Sequence, residues 1–179
     1  ARRRPWLFPH FWIFASIVWA KVVIQSPNNL KSLFTNNATI ENGIANFGDV
    51  PYGHSVVGNV FFDVNNEYGW NQYEHIMQKL LDYQHNVFFI VKRGYCSASE
   101  KVKNIEDAGG KLAIIIDNIP NEDVDEIVLT DVVNSLKQSV NIPTVILTKG
   151  DGDKFLQFYK NEEESKQHHI VIIVEFEIA

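Results

Sequence analysis

Short apolar runs bounded by polar or turn-forming residues constrain the fold of this chain more than any other feature. The clearest of them cover residues 21–25, 87–91, 112–116, 144–148 and 170–177. They are rich in Val, Ile and Phe and too short for a typical buried helix, so each predicts a β-strand. Another apolar run, at 56–64 and interrupted by Gly58 and Asn59, indicates one more strand.

Segments with helical signals separate these strands. Over residues 71–83, apolar side chains recur at spacings of three and four, which predicts an amphipathic helix. Residues 97–109 begin with serines suited to cap a helix and end at two glycines suited to stop it. Further helices are expected at 127–139 and 154–160. Because strands alternate with helices, we predict the α/β class.

Composition narrows the function. The net charge of -6 argues against a nucleic-acid-binding surface, and the only strongly basic cluster is residues 2–4. A single cysteine, Cys96, permits neither an intramolecular disulfide nor a cysteine zinc site. Asn37 begins the one match to the N-glycosylation pattern, in an Asn-rich stretch that reads as a loop.

The first twenty residues, ARRRPWLFPHFWIFASIVWA, combine three arginines with a dense aromatic run. Three interpretations fit: a secretory signal peptide, a mature arm that packs on a neighbouring subunit, or an arm that packs back onto its own domain. A membrane span is not expected, because residues 6–20 are too few and include Pro9 and His10. We favour the assembly arm. Its predicted contacts are Trp6, Phe8, Phe11, Trp12, Phe14 and Trp19.

Motifs for catalysis are not found. The stretch around Ser55 resembles a hydrolase elbow, but Val57 stands where the elbow needs glycine. The six histidines lack the spacing of a zinc protease, and no phosphate-binding glycine loop occurs. We therefore expect no enzymatic activity and no organic cofactor.

One spacing suggests a metal ion. Asp63, Asn65 and Glu67 place oxygen-bearing side chains on alternate residues, as calcium loops do. The acidic stretches 121–126 and 151–153 are also read as oxygen-rich loops. An ordinary acidic surface is the favoured alternative for all three.

Several stretches, in this order, resemble the protease-associated (PA) domain, in particular the lumenal PA domain of vacuolar sorting receptors. They are VVIQSPNNL (22–30), ANFGDVPYGHSVVGNV (45–60), FIVKRGYC (89–96), NIEDAGG (104–110), KLAIIIDN (111–118), VNIPTVILTKGDG (140–152) and the closing strand. The resemblance covers residues 21–179, which leaves residues 1–20 as a separate arm.

This resemblance implies a swivelling β/β/α fold, with central sheets flanked by short helices, and a binding module without catalytic machinery. It also implies ligand contacts by Arg93 and by the loop residues His54, Ser55 and Gly58. Two positions depart from the family pattern. Tyr95 replaces an aspartate, and the cysteine that normally pairs with Cys96 is missing from the region of residues 68–70.

Three functions remain as expectations. The preferred one is a secreted, non-catalytic PA-like protein that self-associates through residues 1–20, as a homo-oligomer or an extracellular fibre. The second is the lumenal domain of a sorting receptor, which binds a peptide ligand. The third is an accessory domain of a protease. All three place the chain outside the cell or in the lumen of the secretory pathway.

Overall fold

The computed structural model of the chain describes residues 18–74, 76–127 and 139–178. Its strands are β1 (Val18–Ser26), β2 (Thr39–Ile40), β3 (Asn42–Ile44), β4 (Ser55–Phe61), β5 (Asn86–Lys92), β6 (Leu112–Ile116), β7 (Thr144–Leu147) and β8 (Val171–Ile178). Its helices are α1 (Asn28–Lys31), α2 (Ile76–Lys79), α3 (Ala98–Asp107), α4 (Lys149–Asn161) and α5 (Glu164–Gln167), with 3-10 turns at Leu80–Asp82 and Val124–Glu126. The predicted α/β class is confirmed.

The strands form one mixed sheet in the order β2-β1-β8-β4-β5-β6-β7-β3. Strands β4 to β7 are parallel to one another, whereas β8 runs antiparallel to both β1 and β4. Only Glu41 separates β2 from β3, so the two ends of this order must lie close together. Asn42 strengthens the closure by donating from Nδ2 to the Ala20 carbonyl oxygen at 3.1 Å. The sheet therefore curls so that β2 covers the edge of β1 and β3 covers the edge of β7.

Both faces of the central strands are buried, which explains why their sequences are continuously apolar. On β5, Phe88 and Ile90 point to one face, and Phe89 and Val91 point to the other. The first face packs against α1 and α4, and the second packs against α2 and α3. The α4 contacts are Phe155, Leu156 and Tyr159, and the α3 contacts are Ala98, Val102, Ile105 and Ala108.

Helix α3 matches its prediction closely. Ser97 caps it by accepting from the Glu100 backbone N–H, and the Glu100 carboxylate in turn accepts from the Ser97 N–H. Gly109, with φ of 91°, follows its end. The helix predicted at 127–139 lies mostly in residues 128–138, outside the described part of the chain.

Two other helices differ from their predictions. The helix expected over 71–83 is reduced to α2 and a 3-10 turn, because the Tyr73 ring packs edge-on against Phe89 before the helix begins. Helix α4 starts at Lys149 rather than 154, capped by the Thr148 side chain. The acidic loop predicted at 151–153 is therefore wrong: these residues lie within the first five residues of α4. Gly152 suits that position because a Cβ there would come within 2.3 Å of Ile116.

The predicted arm and the sheet overlap. Strand β1 begins at Val18, and Trp19 and Ala20 pair with Glu177 and Phe176 of β8. Residues 18–20 therefore belong to the folded body. The predicted contacts Trp6, Phe8, Phe11, Trp12 and Phe14 lie outside the described residues.

Candidate functional site

Three loops meet beyond the carboxyl ends of the parallel strands, at residues 62–70, 93–97 and 117–122. The backbone N–H of Lys92 donates to the Glu67 carbonyl at 2.8 Å, which fixes the first loop to β5. The N–H of Arg93 donates to Ile116 at 2.8 Å and so fixes the second loop to β6. Sheets of parallel strands bind ligands at this edge. We therefore take these loops as the candidate site.

Arg93 is anchored in the middle of this edge. Its Nη1 donates to Oδ1 of Asp117 at 2.8 Å. The Asp117 side chain is fully buried, whereas that of Arg93 stays 16% exposed. Burial acts to raise the pKa of Asp117, but hydrogen bonds from Arg93 and Glu122 outweigh it and hold the pKa below 3.8. Arg93 thus rests on a charged carboxylate.

The other oxygen of Asp117 faces a second acid. Within residues 18–74, 76–127 and 139–178, neither Asp117 Oδ2 nor Glu122 Oε2 meets an N–H or O–H donor. The two carboxyl groups interact, and the interaction lowers the pKa of Asp117 and raises that of Glu122. Burial and the negative charge of Glu126 also raise the pKa of Glu122, against the opposing effect of Arg93. Glu122 is therefore the first of the two to take up a proton as the pH falls.

This pair predicts a pH dependence of the 117–122 loop. The raised pKa of Glu122 stabilises the fold at low pH, and this contribution is lost as the pH rises through the folded-state pKa. The lowered pKa of Asp117 stabilises the fold above its unfolded value, and this contribution is lost as the pH falls through the folded-state pKa. The paired state is therefore strongest at pH values between the lowered folded-state pKa of Asp117 and the raised folded-state pKa of Glu122.

Glu122→Gln is the matched variant, because an amide N–H can donate to Asp117 without a bound proton. Hydrogen exchange of residues 117–126 should speed up in the wild type as the pH rises above that window, after correction for intrinsic exchange. In Glu122→Gln the corrected exchange rate of these residues should not change with pH. Equal pH profiles for the two proteins would show that no proton is shared.

Lys101 links the loop at residues 62–70 to the loop at residues 93–97. It is a fully buried residue of α3, and its Nζ donates to the carbonyl oxygens of Tyr68, at 2.7 Å, and of Gly94. The same ammonium lies 3.4 Å from the Cys96 sulfur. It therefore ties residues 68 and 94 together where the resemblance implied a disulfide to Cys96.

The two departures from the family pattern turn out to be neighbours. Gly94 and Tyr95 have φ values of 118° and 66°, so the chain turns sharply and exposes 75% of Tyr95. The Tyr95 ring lies 4.4 Å from that of Tyr68, measured between centroids, in an edge-on arrangement. Trp70, 60% exposed, follows on the same loop as Tyr68. In the sequence these positions were identified only as a missing aspartate and a missing cysteine of the family pattern. The aromatic surface that they form was not predicted.

The other predicted ligand residues lie elsewhere. Gly58 is opposite Asn86 in the parallel register, and Arg93 is seven residues farther along. At roughly 3.3 Å per residue this separates them by about 23 Å, and His54 and Ser55 are farther still. Gly58 is also buried, with the Phe88 ring against it. The segment predicted as a loop at His54–Gly58 is mostly the start of β4, and the structure does not bring it and Arg93 into one site.

The predicted calcium ligands do not converge. Both Glu67 carboxylate oxygens bind lysines, Lys92 at 3.0 Å and Lys160 at 3.1 Å. Asp63 Oδ1 accepts from the Asn65 backbone N–H at 2.9 Å, an ordinary turn contact. In the part of the chain that the structure describes, no three His, Cys, Asp or Glu side chains are grouped as metal ligands. Calcium binding stays a sequence-based prediction.

The predicted glycosylation position and the length of the helices concern the environment of the domain. Asn37, the predicted glycosylation residue, is exposed in a turn before β2. Of the helices in the described ranges, none combines the length and apolar character needed to cross a bilayer.

Comparison with known proteins agrees with this architecture. Vacuolar-sorting receptors 3 and 4 of Arabidopsis thaliana are each 27% identical to the chain over 161 residues, which is 84% of this chain and 25% of theirs. The chain thus spans about a quarter of these relatives. A zinc aminopeptidase from Bacillus subtilis shares the fold with a TM-score of 0.50 at 15% identity, over 91% of this chain and 31% of that one. The family model of the PA domain matches residues 55–155, and the chain therefore belongs to the PA domain family.

Proposed function

We propose that this chain is a non-catalytic, lumenal or secreted binding module that holds a peptide segment of a client protein at the carboxyl edge of its sheet, with Arg93 as the central contact. The observation that carries the proposal is the fixed Arg93 loop. A guanidinium already held by a buried carboxylate loses little side-chain freedom when a ligand arrives.

The chemistry of Arg93 indicates what kind of peptide group it would meet. Its planar fork of N–H donors suits a carboxylate, either an acidic side chain or a chain terminus. Asp117 accepts one of these donors at 2.8 Å and sets the orientation of the rest. Because the pair leaves 16% of the Arg93 side chain exposed, binding should involve close approach rather than long-range attraction.

The similarity to vacuolar-sorting receptors supports a receptor-type role over a hydrolytic one. The aminopeptidase likeness, at 15% identity, concerns the fold alone. We infer that the chain recognises a client and does not cleave it.

Self-association through residues 1–20 is the alternative hypothesis. It depends on aromatic residues of which only Trp19 lies in the described region. The Trp19 indole N–H donates to the Glu177 carboxylate at 2.6 Å, so this tryptophan contacts its own sheet. Trp19 is therefore part of the sheet rather than of a separate arm.

A peptide array tests the proposal. Fluorescent binding to immobilised propeptides of vacuolar proteins should identify ligands, and Arg93→Ala should weaken them at least about tenfold, which corresponds to about 1.4 kcal/mol. Arg93→Lys, which keeps the charge beside Asp117, should fall in between. Lys111→Ala removes an exposed cation at the amino end of β6 and should change nothing. Ligands that bind Arg93→Ala and the wild type equally would rule out the proposed site.

A further inference from the structure

The aromatic residues beside Arg93 form a second concave surface, which we call the aromatic groove. It is lined by Trp70, Gln72, Tyr95, Glu100, Asn104 and Asp107, among others, and has a volume of about 580 Å³. Small-ligand sites of this size are common, and they combine aromatic walls with a few polar groups.

The aromatic walls are held rigid by α3. Asn104 Nδ2 donates to the carbonyl oxygens of Gly69 and Trp70, both at 3.0 Å. Lys101 binds the carbonyl oxygens of Tyr68 and Gly94 in the same way. One helix therefore fixes the backbone under Trp70 and next to Tyr95. A ligand that stacks on these rings would not have to order the loops first.

The charges at the rim do not cancel. Lys103 lies 2.8 Å from Asp107 and 3.8 Å from Glu106. Glu100 accepts from the backbone N–H and the hydroxyl of Ser97, which are neutral groups. Among the lining residues the two carboxylates Glu100 and Asp107 therefore outnumber Lys103, which disfavours an anionic ligand. Carboxylate oxygens, amide groups and flat apolar faces together suit a ligand that carries hydroxyl groups.

The groove is also poorly suited to an extended peptide. The nearest strand, β5, is hydrogen-bonded on one side to β4 and on the other to β6. A peptide backbone therefore finds no strand edge on which to add, although such pairing is a common mode of peptide capture. A neutral ligand with its own hydroxyl groups fits the remaining chemistry better.

We propose that the aromatic groove binds a neutral oligosaccharide. The apolar faces of the sugar rings stack on Trp70 and Tyr95, and their hydroxyls hydrogen-bond to Gln72, Asn104 and the Asp107 carboxylate. The site is distinct from Arg93 and does not depend on the peptide-binding proposal.

The test is an NMR titration of the chain with cellotriose, chitotriose and mannotriose at millimolar concentrations. At least one sugar should cause saturable shifts of the Trp70 indole and the Tyr95 backbone. Trp70→Ala should weaken binding at least about tenfold, equivalent to about 1.4 kcal/mol. Tyr95→Ala should weaken binding and Tyr95→Phe should retain it, because stacking needs the ring rather than the hydroxyl.

Two controls separate the outcomes. Tyr52→Ala removes a tyrosine that is 50% exposed outside the groove and should leave binding unchanged. Lys111→Ala, at the amino end of β6 and outside the groove, should also leave it unchanged. The proposal is overturned if none of the three sugars gives saturable shifts, or if binding survives Trp70→Ala. Trp70→Phe, which preserves an aromatic face, checks that loss in Trp70→Ala is not a folding defect.

Discussion

Replacing Lys101 with methionine should lower the free energy of unfolding by about 2–4 kcal/mol, although the two side chains are similar in length. Lys101 is fully buried, and its ammonium donates to the carbonyl oxygens of Tyr68 and Gly94. Methionine would fill the space and leave both acceptors without that donor. Each buried polar group that loses its partner typically costs about 1–3 kcal/mol.

Urea denaturation of the wild type and Lys101→Met measures this loss. Lys103→Met is the matched control on the same helix, because Lys103 is 35% exposed and pairs with Glu106 and Asp107 of its own helix. Its change should stay within about 0.5 kcal/mol. Hydrogen exchange should also speed up in residues 66–70 and 93–97 of Lys101→Met and not elsewhere in the sheet. Equal stabilities of the two variants would refute the role of Lys101.

Gly58→Ala should destabilise the fold by about 1–3 kcal/mol, the usual cost of overpacking a core. A Cβ at this position would lie 2.5 Å from two carbons of the Phe88 ring. Phe88 is fully buried in the cluster shared by β1, β5, β6 and β8, so its ring has little room to move. The requirement for glycine here comes from packing between adjacent parallel strands.

Gly150→Ala is the opposite case and serves as the control. Gly150 lies in the first turn of α4, where an added Cβ has no atom within 4 Å. Alanine there should stabilise the helix by about 0.5–1 kcal/mol. Thermal unfolding of the two variants should therefore move in opposite directions. A Gly58→Ala variant as stable as the wild type would mean that the Phe88 ring can be displaced at little cost.

Local patterns in the sequence predicted much of the fold. Uninterrupted apolar runs at 87–91 and 112–116 required burial on both faces, which parallel strands covered by helices supply. The cap at Ser97 was readable because both partners of the capping box lie within four residues. The start of α4 was missed because Gly150 and Gly152 resemble a loop, and only the packing against Ile116 explains Gly152.

The candidate site was harder to predict, because its contacts join distant parts of the chain. Asp117 directly follows a buried strand, a position that could have marked it as a site residue. Its contact with Arg93, 24 residues away, could not be read from spacing. Lys101 was hidden for a similar reason: a lysine on a short helix is normally solvated, and its burial depends on acceptors at residues 68 and 94.

The hydrogen bonds from Lys101 to the carbonyl oxygens of Tyr68 and Gly94 also determine in which cellular compartments these loops keep their conformation. A disulfide between these loops would form or break with the redox state of the compartment. An ammonium bound to backbone carbonyl oxygens has no such dependence on redox state. The loops around Arg93 and Tyr95 should therefore have the same geometry in a reducing cytosol as in an oxidising lumen.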